Sequence, residues 1–156
     1  MLKIETEKSN PVLRSKSKPV EKITPDILKL VGEMKSTLKL AENGVGLAAP
    51  QIGRNIRLFV VLDEIAKDGR TVFINPEITQ ISKTLAAEEE GCLSLPGQWH
   101  ELARTDKVTI KALDEHGHKF KIRVKGLLAR LMAHEVDHLN GILFTDHLKS
   151  KSKKRK

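Results

Sequence analysis

From Pro25 onward apolar residues recur at helical spacing: Ile27, Leu30, Val31, Met34, Leu38 and Ala41 share one 3.6-period face. Proline suits the first helical position and Thr24 precedes it as a cap, so the spacing predicts an amphipathic helix to about Glu42, ended by Asn43-Gly44. The pattern then changes. Ile56 to Leu62 is a continuous apolar run, which reads as a buried strand. Asp68-Gly69 supplies a turn, and Val72 to Asn75 reads as the returning strand, stopped by Pro76. Glu77 to Ile81 and Thr84 to Ala87 fit short strands, while GCLSLPG at 91–97 reads as a loop.

Val108 to Leu113 and Phe120 to Val124 form the arms of a hairpin closed by Asp114 to His118. Its second arm alternates Lys119, Lys121, Arg123 and Lys125 outward with Phe120, Ile122 and Val124 inward, so one face is wet. Gly126 then introduces a second helical run, LLARLMAHEVDHLNG at 127–141. Residues 1–24 read as irregular, and 142–156 lose periodicity. Helix, strands, helix is the order of an α+β fold with antiparallel pairing, not of an alternating parallel sheet.

At 156 residues the chain suits one domain with a real core: a body over 1–148 and a basic, disordered tail over 149–156. The net charge of +8 changes little in that picture, because Lys149, Lys151, Lys153, Lys154, Arg155 and Lys156 supply six of it. The body is close to neutral, and the tail is where a transient ribosome or RNA contact is expected. Tyr is absent, which argues against a base-stacking platform and, with the neutral body, against DNA as a partner. No apolar stretch reaches the 18 or more residues of a membrane span, and MLKIETEKSN resembles neither a signal nor a transit peptide. A cytoplasmic monomer is expected. The single cysteine, Cys92, excludes an internal disulfide and suits a reducing compartment.

Chemistry concentrates at His134, Glu135 and His138, an HExxH pattern. Positions i and i+4 share a helix face, so two imidazoles can grip one metal ion while the glutamate stands beside it to take a proton from water. A third ligand is needed. In one group of zinc proteases the pattern continues to a further histidine, but here that position is Phe144. Another group uses a downstream glutamate, and no glutamate follows His138. Asp146 and His147 are weak local candidates, and His100, His116 and His118, placed in loops or turns, are weaker. Cys92 is the stronger one: thiolate suits zinc or ferrous iron, and Gly91 lets its loop approach a helix closely. One Cys and two His leave a coordination position open, the arrangement of a catalytic site.

Three segments together carry a family resemblance. GVGLAAPQ at 44–51, EGCLS at 90–94 and HEVDH at 134–138 resemble the three motifs of the peptide deformylases, in the same order and at similar separations. The resemblance implies an α+β fold with antiparallel β-sheets around a central HExxH helix, preceded by the N-terminal amphipathic helix. It implies removal of the N-formyl group from the formyl-methionine of nascent polypeptides. It also implies one divalent metal on Cys92, His134 and His138, ferrous iron in this family, with zinc, nickel or cobalt substituting. Glu135 is then the general base and acid, and the Gln51 amide and the Leu93 backbone N–H stabilise the oxyanion. Gly46 would hold the formyl-peptide end, with Val45, Leu127 and Leu131 as walls of the methionine pocket.

Asp137 and Arg104 could pair to anchor the metal helix, or stand as surface charges. Two positions depart from the family pattern: Arg130 where an apolar residue is frequent, and Trp99 where some members carry arginine near the entrance. Two rival readings are a metalloprotease that does without Cys92, and a nucleic-acid-binding module driven by the tail.

Overall fold

The computed structural model describes residues 1–148, so the basic tail expected over 149–156 lies outside the described residues. A single helical turn, α1 (Pro11–Arg14), interrupts the stretch expected to be irregular. Asn10 makes it: its side chain accepts from Val12 N–H at 3.1 Å, and Pro11 takes the first position. Four residues are too few to leave a periodic signature. The long amphipathic helix, α2, runs Pro25–Leu40, with the Thr24 hydroxyl accepting from Ile27 N–H at 3.3 Å. It buries Leu30, Val31, Met34 and Leu38, each burial stabilising by roughly 1.5–3 kcal/mol.

The strands are β1 (Gly46–Ala48), β2 (Leu58–Val61), β3 (Val72–Ile81), β4 (Leu85–Cys92), β5 (Leu95–Thr105), β6 (Lys107–Leu113) and β7 (Lys119–Lys125). They form two antiparallel sheets, a five-stranded one in the order β1-β2-β3-β6-β7 and a two-stranded one of β4 and β5. The last long helix, α3, is Gly126–Leu139, and a further helical turn covers 144–148 where periodicity had vanished from the sequence. The fold is α+β with antiparallel sheets. Among the described residues no helix is long and apolar enough to cross a membrane.

Three expectations are corrected. Pro76 does not stop the third strand, because it falls where the β3–β6 register shifts between Ile74 and Glu77, and a bulge needs no ladder donor there. Asn75, at φ 51°, turns its amide out of that bulge to bond Val20 N–H and C=O at 2.8 and 2.9 Å. The segment 91–97 is not a free loop either. It is the tip of the β4–β5 hairpin, with Cys92 opposite Leu95 and Gly91 opposite Trp99. His100, expected in a loop, lies within β5.

One face of the five-stranded sheet is covered along all its strands, the other over β1, β2 and the start of β3. On one, Phe59, Phe73, Val108, Ile110 and Phe120 pack with Ala129, Leu131 and Met132 of α3. On the other, Leu58, Val60, Val72 and Ile74 pack with the apolar face of α2. A smaller cluster of Leu13, Leu95, Leu102, Leu143 and Phe144 joins α1 and β5 to the chain beyond α3.

Candidate active site

Helix α3 buries four ionisable side chains: Arg130, His134, Glu135 and His138, the last 1% exposed. Ionisable groups are held so deeply only when paired or committed to a ligand. The β4–β5 hairpin supplies the partners. Glu90, itself buried, accepts from Arg104 Nε at 2.7 Å and Nη2 at 2.8 Å, from Arg130 Nη1 at 2.9 Å, and stands 2.7 Å from His134 Nδ1. Arg104 Nη1 reaches Asp137 at 3.1 Å, so these two do pair, and His147 Nε2 lies 2.9 Å from the same carboxylate oxygen. Arg130 also donates to the Ala86 carbonyl at 2.7 Å.

Burial pushes the Glu90 carboxyl up, but hydrogen bonds and charge from His134 and Arg104 outweigh it and hold it far below the ordinary carboxylate range. Burial draws Arg104 down, and the Glu90 bond and charge more than restore it. In the sequence Glu90 is simply part of the EGCLS motif, with no task of its own, and Arg130 stands as a departure from the family pattern near the pocket. Their pairing explains both residues, and the signal available was one buried-side arginine on an apolar helix.

Beside this network, Cys92, His134 and His138 bring one ligand-type atom each within 4.8 Å of one another. Cys92 Sγ is 3.2 Å from His138 Nε2, and the two imidazoles meet edge to face at 4.9 Å. Burial raises the Cys92 thiol, yet the charges and hydrogen bonds of His138 and His134 pull it well below its usual value. Burial lowers His134, and hydrogen bonds to Cys92 and Glu90 raise it well above the usual imidazole range. One thiolate with two imidazoles is the donor chemistry of a zinc or ferrous site. His134, its Nδ1 fixed by a carboxylate, has the outer support that metal-bound histidines use. The residues therefore fit a divalent metal.

Gln51 is 1% exposed, and its orientation follows from its bonds. Its Oε1 accepts from Ala48 N–H at 2.9 Å, which turns Nε2 toward Ser94 Oγ at 3.2 Å and Cys92 Sγ at 3.6 Å. Glu135 Oε1 is buried and makes no hydrogen bond within the described protein, and its carboxyl is raised chiefly by burial. A Cβ on Gly46 would stand 2.8 Å from Glu135 Oε2 and 2.8 Å from Leu131 Cδ1, so only glycine lets β1 pass this close to the glutamate.

These groups border a cavity of about 500 Å³. Gln51, Cys92, Leu93, His134 and Glu135 line it, as do Val45, Gly46, Leu127 and Leu131. His138 does not border it. Leu131 is buried, whereas Leu127 and Trp99 are more than half exposed and belong to the rim. The Trp99 ring lies flat against Gly91, where a Cβ would come within 2.7 Å of it.

Comparison with known proteins bears on the family and the fold. The sequence model of the family described as Polypeptide deformylase matches residues 1–154. A peptide deformylase of Halothermothrix orenii is 50% identical over 137 residues, covering 88% of this chain and 87% of the relative. One from Carboxydothermus hydrogenoformans is 47% identical over 137 residues, with the same coverage. Among solved structures, the peptide deformylase of Thermotoga maritima superposes with a TM-score of 0.87 at 37% identity, over 94% of this chain and 97% of its own. That of Synechococcus elongatus, in complex with actinonin, gives 0.86 at 37% identity, over 94% and 78%. With a matching sequence model, close relatives and a shared fold, the chain belongs to the polypeptide deformylase family and is a hydrolase of that family.

Proposed function

We propose that this chain removes the N-formyl group from the formyl-methionine of nascent polypeptides, releasing formate, with residues 1–148 acting as one catalytic unit. The observation that carries the reading is the meeting of Cys92, His134 and His138 within 4.8 Å, beside a cavity that Cys92, His134, Glu135 and Gln51 line. Cys92, His134 and His138 would hold one divalent metal, ferrous iron by family resemblance. When bound, that metal lowers the pKa of water and polarises the formyl carbonyl.

Glu135 takes the proton of the attacking water and passes it to the departing amine as the amide C–N bond breaks. Its buried, unbonded Oε1 and its raised pKa suit a group that must both accept and return a proton near neutrality. Attack puts negative charge on the formyl oxygen, and the Gln51 Nε2 hydrogens, locked by the Ala48 bond, with the Leu93 N–H would meet it. Leu93 follows Cys92 at the hairpin tip, where the ladder leaves Leu93 and Ser94 unpaired. Gly46 lets the substrate end approach Glu135. Val45, Leu127 and Leu131 wall the side-chain pocket, Leu131 deep and Leu127 at the rim. Extended substrate adds along exposed backbone as a strand would.

Catalysis as a cytoplasmic monomer completes the reading. The test is anaerobic assay of formate release from a formyl-Met tripeptide by the iron-loaded chain. Cleavage of internal peptide bonds without formate would support a metalloprotease instead.

A further inference from the structure

The sheet face that α2 covers over β2 and β3 is left bare over β6 and β7, and that bare area is strongly cationic. Leu113 is the last residue on that face to pack with the α2 cluster, and Lys119 stands opposite it. Beyond it, outward-facing Lys107, Lys111, Lys119, Lys121, Arg123 and Lys125 are all exposed. The register sets Lys107 opposite Lys125 and Lys111 opposite Lys121. Like charges directly across a ladder destabilise a hairpin, so a sequence selected for stability alone would alternate signs here. Among the described residues Lys111 is the one of the six in an ion pair, with exposed Glu77 at 3.4 Å.

Lysines on an edge strand protect it from pairing with other chains, which accounts for β7. That does not account for Lys107 and Lys111, which lie on the inner strand β6. Nor does it account for the meeting of Lys107, Arg123 and Lys125 with Lys67 around a concavity of about 460 Å³ at the sheet edge, which Val124 and Leu128 of the α3 side also line. Lys67 reaches over from the segment after β2 and donates to the Arg123 carbonyl at 2.5 Å.

We propose that the outer face of the β6–β7 hairpin binds the phosphate backbone of duplex RNA. Four cations on alternate positions of β7 span about 20 Å at ~3.3 Å per residue, a length suited to a row of phosphates. No aromatic side chain stands among them, since Phe120 points to the other face, so the contact reads backbone and shape, not unstacked bases. Leu113, the apolar neighbour of Lys119 on this face, is engaged with the α2 cluster, which disfavours an anionic membrane, where apolar insertion accompanies basic residues. The choice of RNA rests on the proposed function: an enzyme of nascent chains works where duplex RNA is abundant.

The test uses full-length chain, a synthetic mixed-sequence RNA duplex, and phosphatidylserine vesicles as the alternative anion. One variant is Lys121→Glu with Arg123→Glu; its first change sets a carboxylate opposite Lys111, so the hairpin should fold at least as well. A second variant carries Gln at 149, 151 and 153–156. The proposal expects duplex affinity to fall at least ~10-fold in the hairpin variant at ~0.1 M salt, with a salt slope shallower by about two. It expects no preference for vesicles and unchanged formate release from a formyl-Met tripeptide. Duplex affinity lost with the tail substitutions but kept in the hairpin variant overturns it, as does hairpin-dependent binding to vesicles alone. Absence of formate release in the wild-type chain would count against the proposed function, while the duplex measurement still decides the surface.

Discussion

Glu90 Oε2 stands 2.7 Å from His134 Nδ1, and this contact ties the helix that carries two candidate ligands to the hairpin that carries the third. The same carboxylate is clasped by Arg104 and Arg130, so its charge is needed twice, once to aim the imidazole and once to neutralise buried guanidinium groups. Glu90→Gln keeps the size and removes the charge. Breaking such a buried set should cost about 3–5 kcal/mol in denaturant unfolding. In protein that remains folded, metal affinity should fall by roughly 10–100-fold. Unchanged stability together with unchanged metal affinity would mean that the network positions nothing.

Gln51 is held by one bond at its amide oxygen, and in the proposed reaction the nitrogen of the same amide would do the work. Gln51→Glu keeps an oxygen to accept from Ala48 N–H and loses the Nε2 donors. With a transition-state role, kcat should fall by about 10²–10³ with KM little changed. A rise in KM at constant kcat would place Gln51 in substrate binding instead.

Gly46 is small because Glu135 and Leu131 leave no room for a Cβ. Gly46→Ala should push the ends of the Glu135 and Leu131 side chains back by a fraction of an ångström. Activity should then drop by roughly 10–100-fold while the unfolding midpoint moves little. Full activity in this variant would show that the close approach has no bearing on the reaction.

Asp114 gives a pH signature far from the metal site. Its carboxylate accepts from the His116 and His118 N–H groups, each at 2.9 Å, and pairs with Arg70 at 3.3 Å. Desolvation works upward, but these bonds and the two imidazole charges leave its pKa below the ordinary value. A carboxylate depressed by folding adds stability that is complete above the unfolded value of about 3.9 and lost as pH falls through the lower folded value. Denaturation midpoints from about pH 5 downward should therefore decline less steeply in Asp114→Asn than in wild type. Parallel acid limbs in the two proteins would remove Asp114 from the account.

What the sequence makes legible follows physical locality. Helix α2 and the β6–β7 hairpin carry their periods in consecutive residues, because each packs one face on a core. Strands β4 and β5 carry none: residues 85–89 and 96–101 are mostly exposed or half-exposed on both faces, so alternation never develops and most of β5 goes unread. Pro76 misleads because a bulge removes the need for its missing N–H. Arg130 misleads because its partner Glu90 is 40 residues away, on an element that periodicity does not show. The chemistry-bearing positions are legible for a different reason. His134, Glu135 and His138 share a helix, and Cys92 sits in a short motif that the family resemblance singles out. Of the groups that hold them in place, Arg104 is legible as a partner of Asp137, whereas the Glu90 carboxylate and the task of Arg130 become visible only in three dimensions.

In the proposed reaction Glu135 moves protons at a site staged by Cys92, His134 and His138. The most direct measurement compares wild type with Glu135→Ala, both loaded anaerobically with ferrous iron, for metal content and formate release from a formyl-Met tripeptide. Both proteins should carry one metal per chain, and formate release should be lowered by at least ~10²-fold in the variant. Full formate release by Glu135→Ala with its metal in place would contradict that role.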